Sequence, residues 1–471
     1  MDSKEFRDQL QRVGAWMADY YDRRRELPVR SPVEPDELLN RLPADPPERG
    51  EEFERIWRDF ESLIVPGMTH WQHPRFFAYF PANTSPPSIL AETAAAALGA
   101  QCMSWETSPA ATELEIRVLE WLRTALGLPA SFTGSIQDTA STATLTAMVV
   151  ARERATEEVG TESGLSGGPP LSAYCSVEAH SSVDKAIAIA GIGRTNLRKI
   201  PVDESFAMRP EALDAAISED RARGYRPVAV TACLGTTGAS GFDPLDVIGR
   251  VCRAHGVWLH VDAAWAGSAC VAPEFRWMLD GVEAADSFVF NPHKWLLTNF
   301  DCSVLFVRDP DALVRTMGAN PEYLKTRHTS VVNFRDWGIP LGRRFRALKL
   351  WFVLRTYGLE GIRAHIRRHV RLAHELAGWI GGDPAFTLVR APVLSLLCFR
   401  YTPPGVPARR LDTLNEELLH RLNDRGRIYL THTRIADAFV MRFAIGQTDT
   451  GPEDVAEAWD EIRRVASGLT V

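Results

Sequence analysis

A lysine interrupts an apolar stretch of the chain near residue 290. Residues 288–290 are Phe-Val-Phe, a β-prone run that predicts a short buried strand, and Pro292 ends it. Lys294 follows at once, ahead of the bulky residues 295–297. Burial disfavours an ammonium ion, so the pKa of Lys294 should fall and its amine should become nucleophilic. The ordinary alternative is a lysine that extends to the surface from a core strand.

A second charged residue upstream favours the chemical interpretation. Residues 257–261 predict another buried strand, which ends at Asp262. Open α/β sheets bind ligands beyond the carboxyl ends of their strands, so Asp262 and Lys294 are expected at the same edge. An aspartate alone is more often a turn or helix-cap residue. Together, however, a lysine that forms an imine and a carboxylate that keeps a pyridine nitrogen protonated predict pyridoxal 5'-phosphate (PLP), bound as a Schiff base on Lys294.

Two runs carry a resemblance to a known family. Asn-Pro-His-Lys-Trp at 291–295 and His-Val-Asp-Ala-Ala at 260–264 resemble the group II PLP-dependent decarboxylases, and most of all the aromatic L-amino acid decarboxylases. The similarity spans the chain from about residue 5 to residue 465. It is also carried by the runs at 73–81, 108–115 and 339–345.

The resemblance implies an α/β fold of fold type I. Its large domain has a mostly parallel seven-stranded sheet, and its small C-terminal domain is α+β. Alternating strand and helix patterns between about residues 86 and 310 independently predict a large α/β domain. We expect an N-terminal helical dimerisation segment at 1–85, a PLP-binding domain at 86–357 and a small domain at 358–471.

The resemblance also assigns cofactor and catalytic roles. Ala140 and Ser141 begin a predicted helix whose N-terminus suits the PLP phosphate. His180 is expected to stack on the PLP ring and to touch the substrate carboxylate, and Tyr323 is expected to be a proton donor. The catalytic set is Lys294, His180, Tyr323 and Asp262. The cofactor-binding set is Ala140, Ser141, His180, Thr237, Asp262, Ala264, Asn291, His293 and Lys294.

Aromatic residues are dense between residues 70 and 81. Such a run is usually core, but its prolines make it irregular, and the resemblance places part of it around the substrate side chain. Ala82 stands where the family commonly has threonine, and Met103 replaces a position that is often aromatic. The implied substrate-binding set is Trp71, Tyr79, Phe80, Pro81, Ala82, Met103, His180, Leu341 and Gly342.

Other segments suggest assembly and motion. Residues 3–21 and 50–65 are amphipathic helices without a core of their own, and the resemblance implies that they embrace a second subunit. Leu341 and Gly342 are expected to reach the partner's site, which makes a homodimer with composite sites. Residues 308–336 predict a long polar loop that closes as a lid. Further on, Lys349 is expected on the wet face of a helix at 345–357, and Arg335 is expected to have a structural role only.

The composition excludes several classes of function. The chain has 471 residues and a net charge of −7, which argues against nucleic-acid binding. No apolar stretch is long enough to span a membrane. Seven scattered cysteines predict neither a disulfide framework nor a metal site, so we expect no metal and a cytoplasmic location.

These observations predict PLP-dependent decarboxylation of an aromatic L-amino acid to an amine and CO2. Tryptophan, 5-hydroxytryptophan, phenylalanine, tyrosine and dopa remain open as substrates. One alternative is the aldehyde synthase branch of the same family, and others are a histidine decarboxylase and an inactive PLP-binding scaffold. Tyr323 and His180 favour decarboxylation, because some aldehyde synthases replace the loop tyrosine by phenylalanine and others alter the histidine.

Overall fold

The structure is a computed structural model that describes residues 1–318, 328 and 330–469. Within this part, the chain divides into two compact units. One consists of residues 1–81, 372–391 and 397–471, and the other of residues 82–371 and 392–396. The three-domain division stays a prediction.

In the larger unit, helices and strands are interspersed along the chain, as expected of an α/β protein. A helix beginning at Arg346 is broken at Gly358, whose φ of 61° and ψ of 172° are not helical. The α-helices are α1 (Ser3–Arg23), α2 (Glu37–Arg41), α3 (Phe53–Asp59), α4 (Pro86–Leu98), α5 (Pro109–Leu126), α6 (Ala140–Thr156), α7 (Val159–Ser163), α8 (Ser182–Ile189), α9 (Pro210–Ala222), α10 (Leu245–His255), α11 (Pro292–Trp295), α12 (Pro310–Met317), α13 (Arg346–Gly382), α14 (Ala408–Asp424) and α15 (Pro452–Ser467).

The described residues of the larger unit form a seven-stranded sheet, as predicted. Its strands are β1 (Thr133–Gln137), β2 (Leu171–Ser176), β3 (Leu197–Ile200), β4 (Arg226–Cys233), β5 (Trp258–Asp262), β6 (Ser287–Phe290) and β7 (Ser303–Val307). The spatial order is β1-β7-β6-β5-β4-β2-β3. Neighbours from β6 to β3 are parallel, and β7 is antiparallel to both β6 and β1.

Burial explains why the central strands are mainly apolar and do not alternate between polar and apolar residues. Every residue of β5 and β6 is buried, and so are all residues of β4 after its first. Strands covered on both faces need apolar side chains on both faces, so they lack the alternation of a half-exposed strand. The predicted strands at 257–261 and 288–290 correspond to β5 and β6.

Two predictions about the larger unit are wrong. Residues 308–336 are not all loop, because α12 occupies Pro310–Met317 and is capped by Asp309, whose carboxylate accepts from the Ala312 N–H at 3.0 Å. Lys349 is not on a wet face: it is 1% exposed, and its ammonium lies 2.9 Å from the Glu92 carboxylate. A buried lysine needs such a partner, and the sequence places Glu92 far from it.

The smaller unit contains a four-stranded sheet among its described residues. Its strands are β8 (Phe386–Arg390), β9 (Leu396–Tyr401), β10 (Thr431–Ile435) and β11 (Ala438–Ala444), in the order β10-β11-β9-β8. Helices α14 and α15 contribute leucine, isoleucine and valine side chains to a core with this sheet. In α1, none of the 21 residues is buried.

Candidate active site

Six of the seven strands end at one edge of the sheet, and predicted site residues lie at the ends of five of them, β1, β2, β4, β5 and β6. The strands β2, β4, β5 and β6 are parallel. Because β7 is antiparallel to both β6 and β1, β1 runs in the same direction as β6. The predicted site residues Ala140, His180, Thr237 and Lys294 follow the carboxyl ends of four of these strands, and Asp262 is the last residue of β5. The sheet therefore brings together residues that are far apart in the sequence.

Backbone hydrogen bonds join the Asp262 and Lys294 loops. The Asn291 N–H donates to the Ala264 carbonyl at 2.9 Å, and the Lys294 N–H donates to the Asn291 carbonyl at 2.9 Å. Asp262 is 8% exposed, and its Oδ1 accepts from the Ala264 N–H at 3.0 Å. This short chain of bonds holds the carboxylate and the half-buried lysine on adjacent loops.

His180 lies within the electrostatic reach of both charged residues. Burial lowers its pKa below the usual 6.5, the Asp262 carboxylate opposes this shift, and the Lys294 ammonium reinforces it. Its Nδ1 accepts from the Ser182 N–H at 3.1 Å, so in the neutral ring the proton is on Nε2. Because its pKa lies below 6.5, His180 is a neutral donor at pH 7.

Asn291 and His293 are buried in the loop that carries Lys294. The Ser303 hydroxyl donates to Asn291 Oδ1 at 2.7 Å, and the Cys302 N–H donates to His293 Nδ1 at 2.9 Å. Burial, followed by the charge of Lys294, lowers the pKa of His293 to about 3. Both side chains tie this loop to the start of β7, and their predicted contact with PLP stays a prediction.

The start of α6 has the features of an anion site. Thr139 is the N-cap, and its hydroxyl oxygen accepts from the Thr142 N–H at 3.4 Å. The N–H groups of the first helical turn have no acceptor within a helix, and the dipole of this 17-residue helix favours an anion. Ala140 is half-buried and Ser141 is exposed, so a phosphate can approach them.

Thr237 lies in a compact turn after β4. The Gly241 N–H donates to the Thr236 hydroxyl oxygen at 2.8 Å, and the Ser240 N–H donates to the Thr236 carbonyl at 2.9 Å. Thr237 itself is half-buried. The turn holds this threonine at the carboxyl edge of the sheet, and its predicted contact with the cofactor stays a prediction.

Residues 82–85 contact the Lys294 loop, which the sequence did not predict. The Asn83 N–H donates to the His293 carbonyl at 2.6 Å, and Asn83 Oδ1 accepts from the Leu297 N–H at 3.1 Å. The Ser85 hydroxyl donates to the Leu297 carbonyl at 2.6 Å. These bonds place Ala82 beside the loop of the lysine, although nothing in the sequence marks Asn83 as its partner.

Met103 and the Leu341–Gly342 run lie on two segments that are hydrogen-bonded to each other. The Cys102 N–H donates to the Arg343 carbonyl at 2.9 Å, and the Arg335 N–H donates to the Met103 carbonyl at 2.8 Å. Arg343 is anchored in turn, because its guanidinium is buried against Glu115 at 2.7 Å. Leu341 and Gly342 remain exposed in the single chain.

The aromatic candidates belong to the unit that contains residues 1–81. The Trp71 ring stacks on the Tyr79 ring with centroids 5.7 Å apart. The Arg442 guanidinium lies 5.4 Å from the centre of the Phe80 ring, and Pro81 is buried. Tyr323 lies outside the described residues, so its predicted role is untested.

The residues at the carboxyl edge fit PLP. The buried Asp262 carboxylate suits the pyridine nitrogen, and Lys294 on the adjacent loop suits the aldehyde. The small Ala264 suits the ring face, and the accessible N-terminus of α6 suits the phosphate. In the described ranges, no three His, Cys, Asp or Glu side chains are grouped to hold a metal ion. No helix there combines the length and apolarity needed to cross a bilayer. The fold and this site define a PLP-dependent enzyme of fold type I.

Comparison with known proteins identifies the family. The chain belongs to the pyridoxal-dependent decarboxylases, because the model of the pyridoxal-dependent decarboxylase conserved domain matches residues 35–402. An aromatic-L-amino-acid decarboxylase of Rattus norvegicus is 42% identical, over 100% of this chain and 99% of the relative. A phenylacetaldehyde synthase of Arabidopsis thaliana is 43% identical, over 100% and 97%.

A solved structure agrees with these relatives. The crystal structure of Oryza sativa TDC with PLP and tryptamine is similar with a TM-score of 0.96 and 37% identity, covering 99% of each chain. The predicted family, fold class, PLP cofactor and carboxy-lyase class are thereby confirmed.

Proposed function

We propose that this chain converts an aromatic L-amino acid into the arylalkylamine and CO2, with PLP held by Lys294. The observation that carries the proposal is the convergence of Lys294, Asp262 and His180 at the carboxyl edge of one sheet. The charges of Lys294 and Asp262 both affect the pKa of His180. Relatives named for decarboxylation of aromatic amino acids support the substrate class.

Each residue has a separate task in this proposal. When bound, PLP supplies an electron sink for the bond between the α-carbon and the carboxylate. Asp262 keeps the pyridine nitrogen protonated, which maintains that sink. The Nε2–H of neutral His180 donates to the substrate carboxylate and orients it, and Lys294 holds the aldehyde. Tyr323 donates a proton to the α-carbon after CO2 has left.

The substrate side chain is proposed to contact a mainly apolar set. Its members are Trp71, Tyr79, Phe80, Pro81, Ala82, Met103, Leu341 and Gly342. The stacked rings of Trp71 and Tyr79 support an aromatic substrate, because aromatic faces bind one another well. Ala82 provides no hydroxyl for the substrate carboxylate, so His180 is proposed to orient that group largely alone.

We also propose a cytoplasmic homodimer whose partner contributes Leu341 and Gly342 to each site. Large apolar side chains exposed in the single chain support a partner: Leu90 is 60% exposed and Leu98 is 66% exposed. The unburied amphipathic helix α1 is also available to cover another subunit. The seven buried thiols are compatible with a reducing compartment.

Borohydride reduction tests the cofactor attachment. Reduction of the purified holoenzyme should fix PLP on one peptide, the one that contains Lys294. A label on any other lysine would refute the site. CO2 release should then be scored for tryptophan, 5-hydroxytryptophan, phenylalanine, tyrosine, dopa and histidine, and release from histidine alone would overturn the aromatic substrate class.

Aldehyde synthesis is a second candidate, favoured by the relative named phenylacetaldehyde synthase. Such a reaction consumes O2 and yields aldehyde, ammonia and hydrogen peroxide besides CO2. Peroxide and amine should therefore be measured in the same reaction mixtures. Amine without peroxide supports the decarboxylase, whereas equal amounts of aldehyde and peroxide identify the synthase.

A further inference from the structure

Three buried rings lie behind Lys294. Trp295 directly follows the lysine and is fully buried. Its ring stacks on that of Trp265, with centroids 4.9 Å apart and planes 16° from parallel. At the edge of the indole, the Trp295 Nε1–H donates to His369 Nδ1 at 2.9 Å. The planes of the Trp295 and His369 rings are 9° from parallel. The rings of Trp265, Trp295 and His369 are called the Trp295 cluster below.

The hydrogen bond determines the state of His369. An indole nitrogen only donates, so His369 Nδ1 must accept and the imidazole proton must be on Nε2. His369 is fully buried, and burial lowers its pKa well below 6.5. The ring therefore stays neutral and remains an acceptor throughout the neutral pH range. A protonated ring would lose the bond and leave a buried charge.

The helix that carries His369 is bonded to both charged loops. Trp295 belongs to the Lys294 loop, and Trp265 stands three residues after Asp262. The Arg363 guanidinium on the same helix donates to the Val271 carbonyl at 2.7 Å, and Arg367 donates to Glu274 at 3.0 Å. The helix thus holds the segment that follows Asp262 and, through His369, the segment that carries Lys294.

We propose that His369 is a positioning residue for Lys294. By accepting the indole N–H, it sets the orientation of Trp295 and, through the shared backbone, the direction of the Lys294 side chain at the carboxyl edge. It does not touch the reacting atoms. This inference rests on the proposed role of Lys294 as the lysine that binds PLP.

A merely structural role predicts a different pattern of variants. If the Trp295 cluster only fills the core, any apolar residue of suitable size should serve at position 369. If the acceptor matters, glutamine should serve better than leucine, because its amide oxygen can accept the indole N–H. His365 is a matched control: it lies one turn earlier, is also buried, and its ring centroid is 4.2 Å from that of His369.

The test compares wild type, His369→Leu, His369→Gln and His365→Leu as full-length protein. Two readouts are needed besides melting temperature: the Kd of PLP for the apoenzyme, and the pH dependence of Lys294 acetylation by acetic anhydride, followed by peptide mass spectrometry. His369→Leu should weaken PLP binding by about tenfold and shift the acetylation profile, as expected from the loss of one buried hydrogen bond. His369→Gln and His365→Leu should stay within about threefold of wild type.

Other results would overturn the role of His369. Equal PLP affinities and acetylation profiles in His369→Leu and His365→Leu would reduce the cluster to packing, and a glutamine variant as weak as leucine would exclude the hydrogen bond. If His369→Leu does not fold, Trp295→Phe removes the N–H donor and keeps a ring, and it should reproduce both shifts. Failure of borohydride to label Lys294 in wild type would refute the proposed function instead, whatever the variants do.

Discussion

The residues proposed to hold PLP and those proposed to hold the substrate side chain are built differently. Asp262, Asn291 and His293 are buried at 8%, 2% and 4% exposure, and they are fixed by hydrogen bonds to neighbouring backbone or strand residues. By contrast, Tyr79 and Leu341 are each 46% exposed. The cofactor set lies at the ends of sheet strands or on the loops that directly follow them, whereas the apolar substrate set is spread over segments outside that sheet.

This difference separates what the fold determines from what it leaves variable. Loops held by a buried sheet can keep a carboxylate and a lysine in register, which the chemistry of PLP requires. Exposed side chains can change without disturbing that sheet, so they can adapt to different substrates. Substitutions in the cofactor set should therefore affect the rate of the reaction, and substitutions in the substrate set should affect selectivity.

Removal of Lys294 should have the largest effect. Lys294→Ala leaves no amine to hold the aldehyde or to release the product, so the loss of turnover should exceed the ~10²–10⁴-fold that general acid–base help is worth. CO2 release over hours and borohydride labelling would measure it. Lys349→Ala is the control, because it removes another buried lysine whose partner is Glu92, and its borohydride label should remain on Lys294. Substantial turnover by Lys294→Ala would contradict the cofactor set.

The contrast between these two lysines also shows what the sequence could predict. The strands before Asp262 and Lys294 were recognisable because each is an apolar run with a charged residue just beyond it, and the sheet edge follows from their parallel order. The burial of Lys349 was not recognisable, since its partner is 257 residues away and no local pattern marks the pair.

Other features depended on long-range contacts or were overlooked. His369 contacts Trp295 across 74 residues, and Asn83 contacts Leu297 across 214, so neither has a local signature. The helix Pro310–Met317 did have one, because an aspartate followed by proline is a common helix start. The prediction of a loop at 308–336 overlooked Asp309 as the N-cap of this helix.

Loss of the Tyr323 hydroxyl should have the next largest effect. A phenol can give a proton to the α-carbon and a phenyl ring cannot, so Tyr323→Phe should lose about 10²–10⁴-fold in amine formation. Aldehyde and hydrogen peroxide should rise as O2 reacts instead. All three products should be measured in one reaction mixture. An unchanged amine yield without peroxide would mean that His180 or water supplies the proton.

Neutralising Asp262 should reduce the rate less. An opposite charge at close range shifts a pKa by about 1–3 units, so Asp262→Asn should lower the ratio of protonated to neutral pyridine by about 10–10³-fold. The kcat should fall with little change in KM, because the substrate contacts are intact. A ¹⁵N NMR titration of the holoenzyme, with the label at the pyridine nitrogen of PLP, would report the pyridine pKa. An unchanged spectrum and rate would place the nitrogen's partner elsewhere.

The pH dependence of His180 offers a finer test. Since burial lowers its pKa, the neutral form should persist below pH 6.5 and be lost only as pH falls through the lowered value. The Asp262 charge raises this pKa, so Asp262→Asn should move the titration to lower pH. NMR of histidine-labelled apoenzyme, with His180→Gln for assignment, would measure both values. A His180 that titrates above 6.5 would contradict the donor role of its neutral ring.

The smallest effect should come from the substrate set. Ala82→Thr adds a hydroxyl beside the Lys294 loop, where Asn83 already donates to the His293 carbonyl at 2.6 Å. One new hydrogen bond to the substrate carboxylate is worth about 0.5–1.5 kcal/mol, so KM should fall about two- to tenfold. The kcat should change less, because the bond is made before and during the reaction alike.

Ala82→Val is the control, since it has the same shape without the hydroxyl and should not lower KM. Equal KM values for the two variants would show that volume rather than hydrogen bonding matters at position 82. A fall in kcat with no change in KM would place Ala82 with the cofactor set and remove the distinction between the two groups of residues at this position.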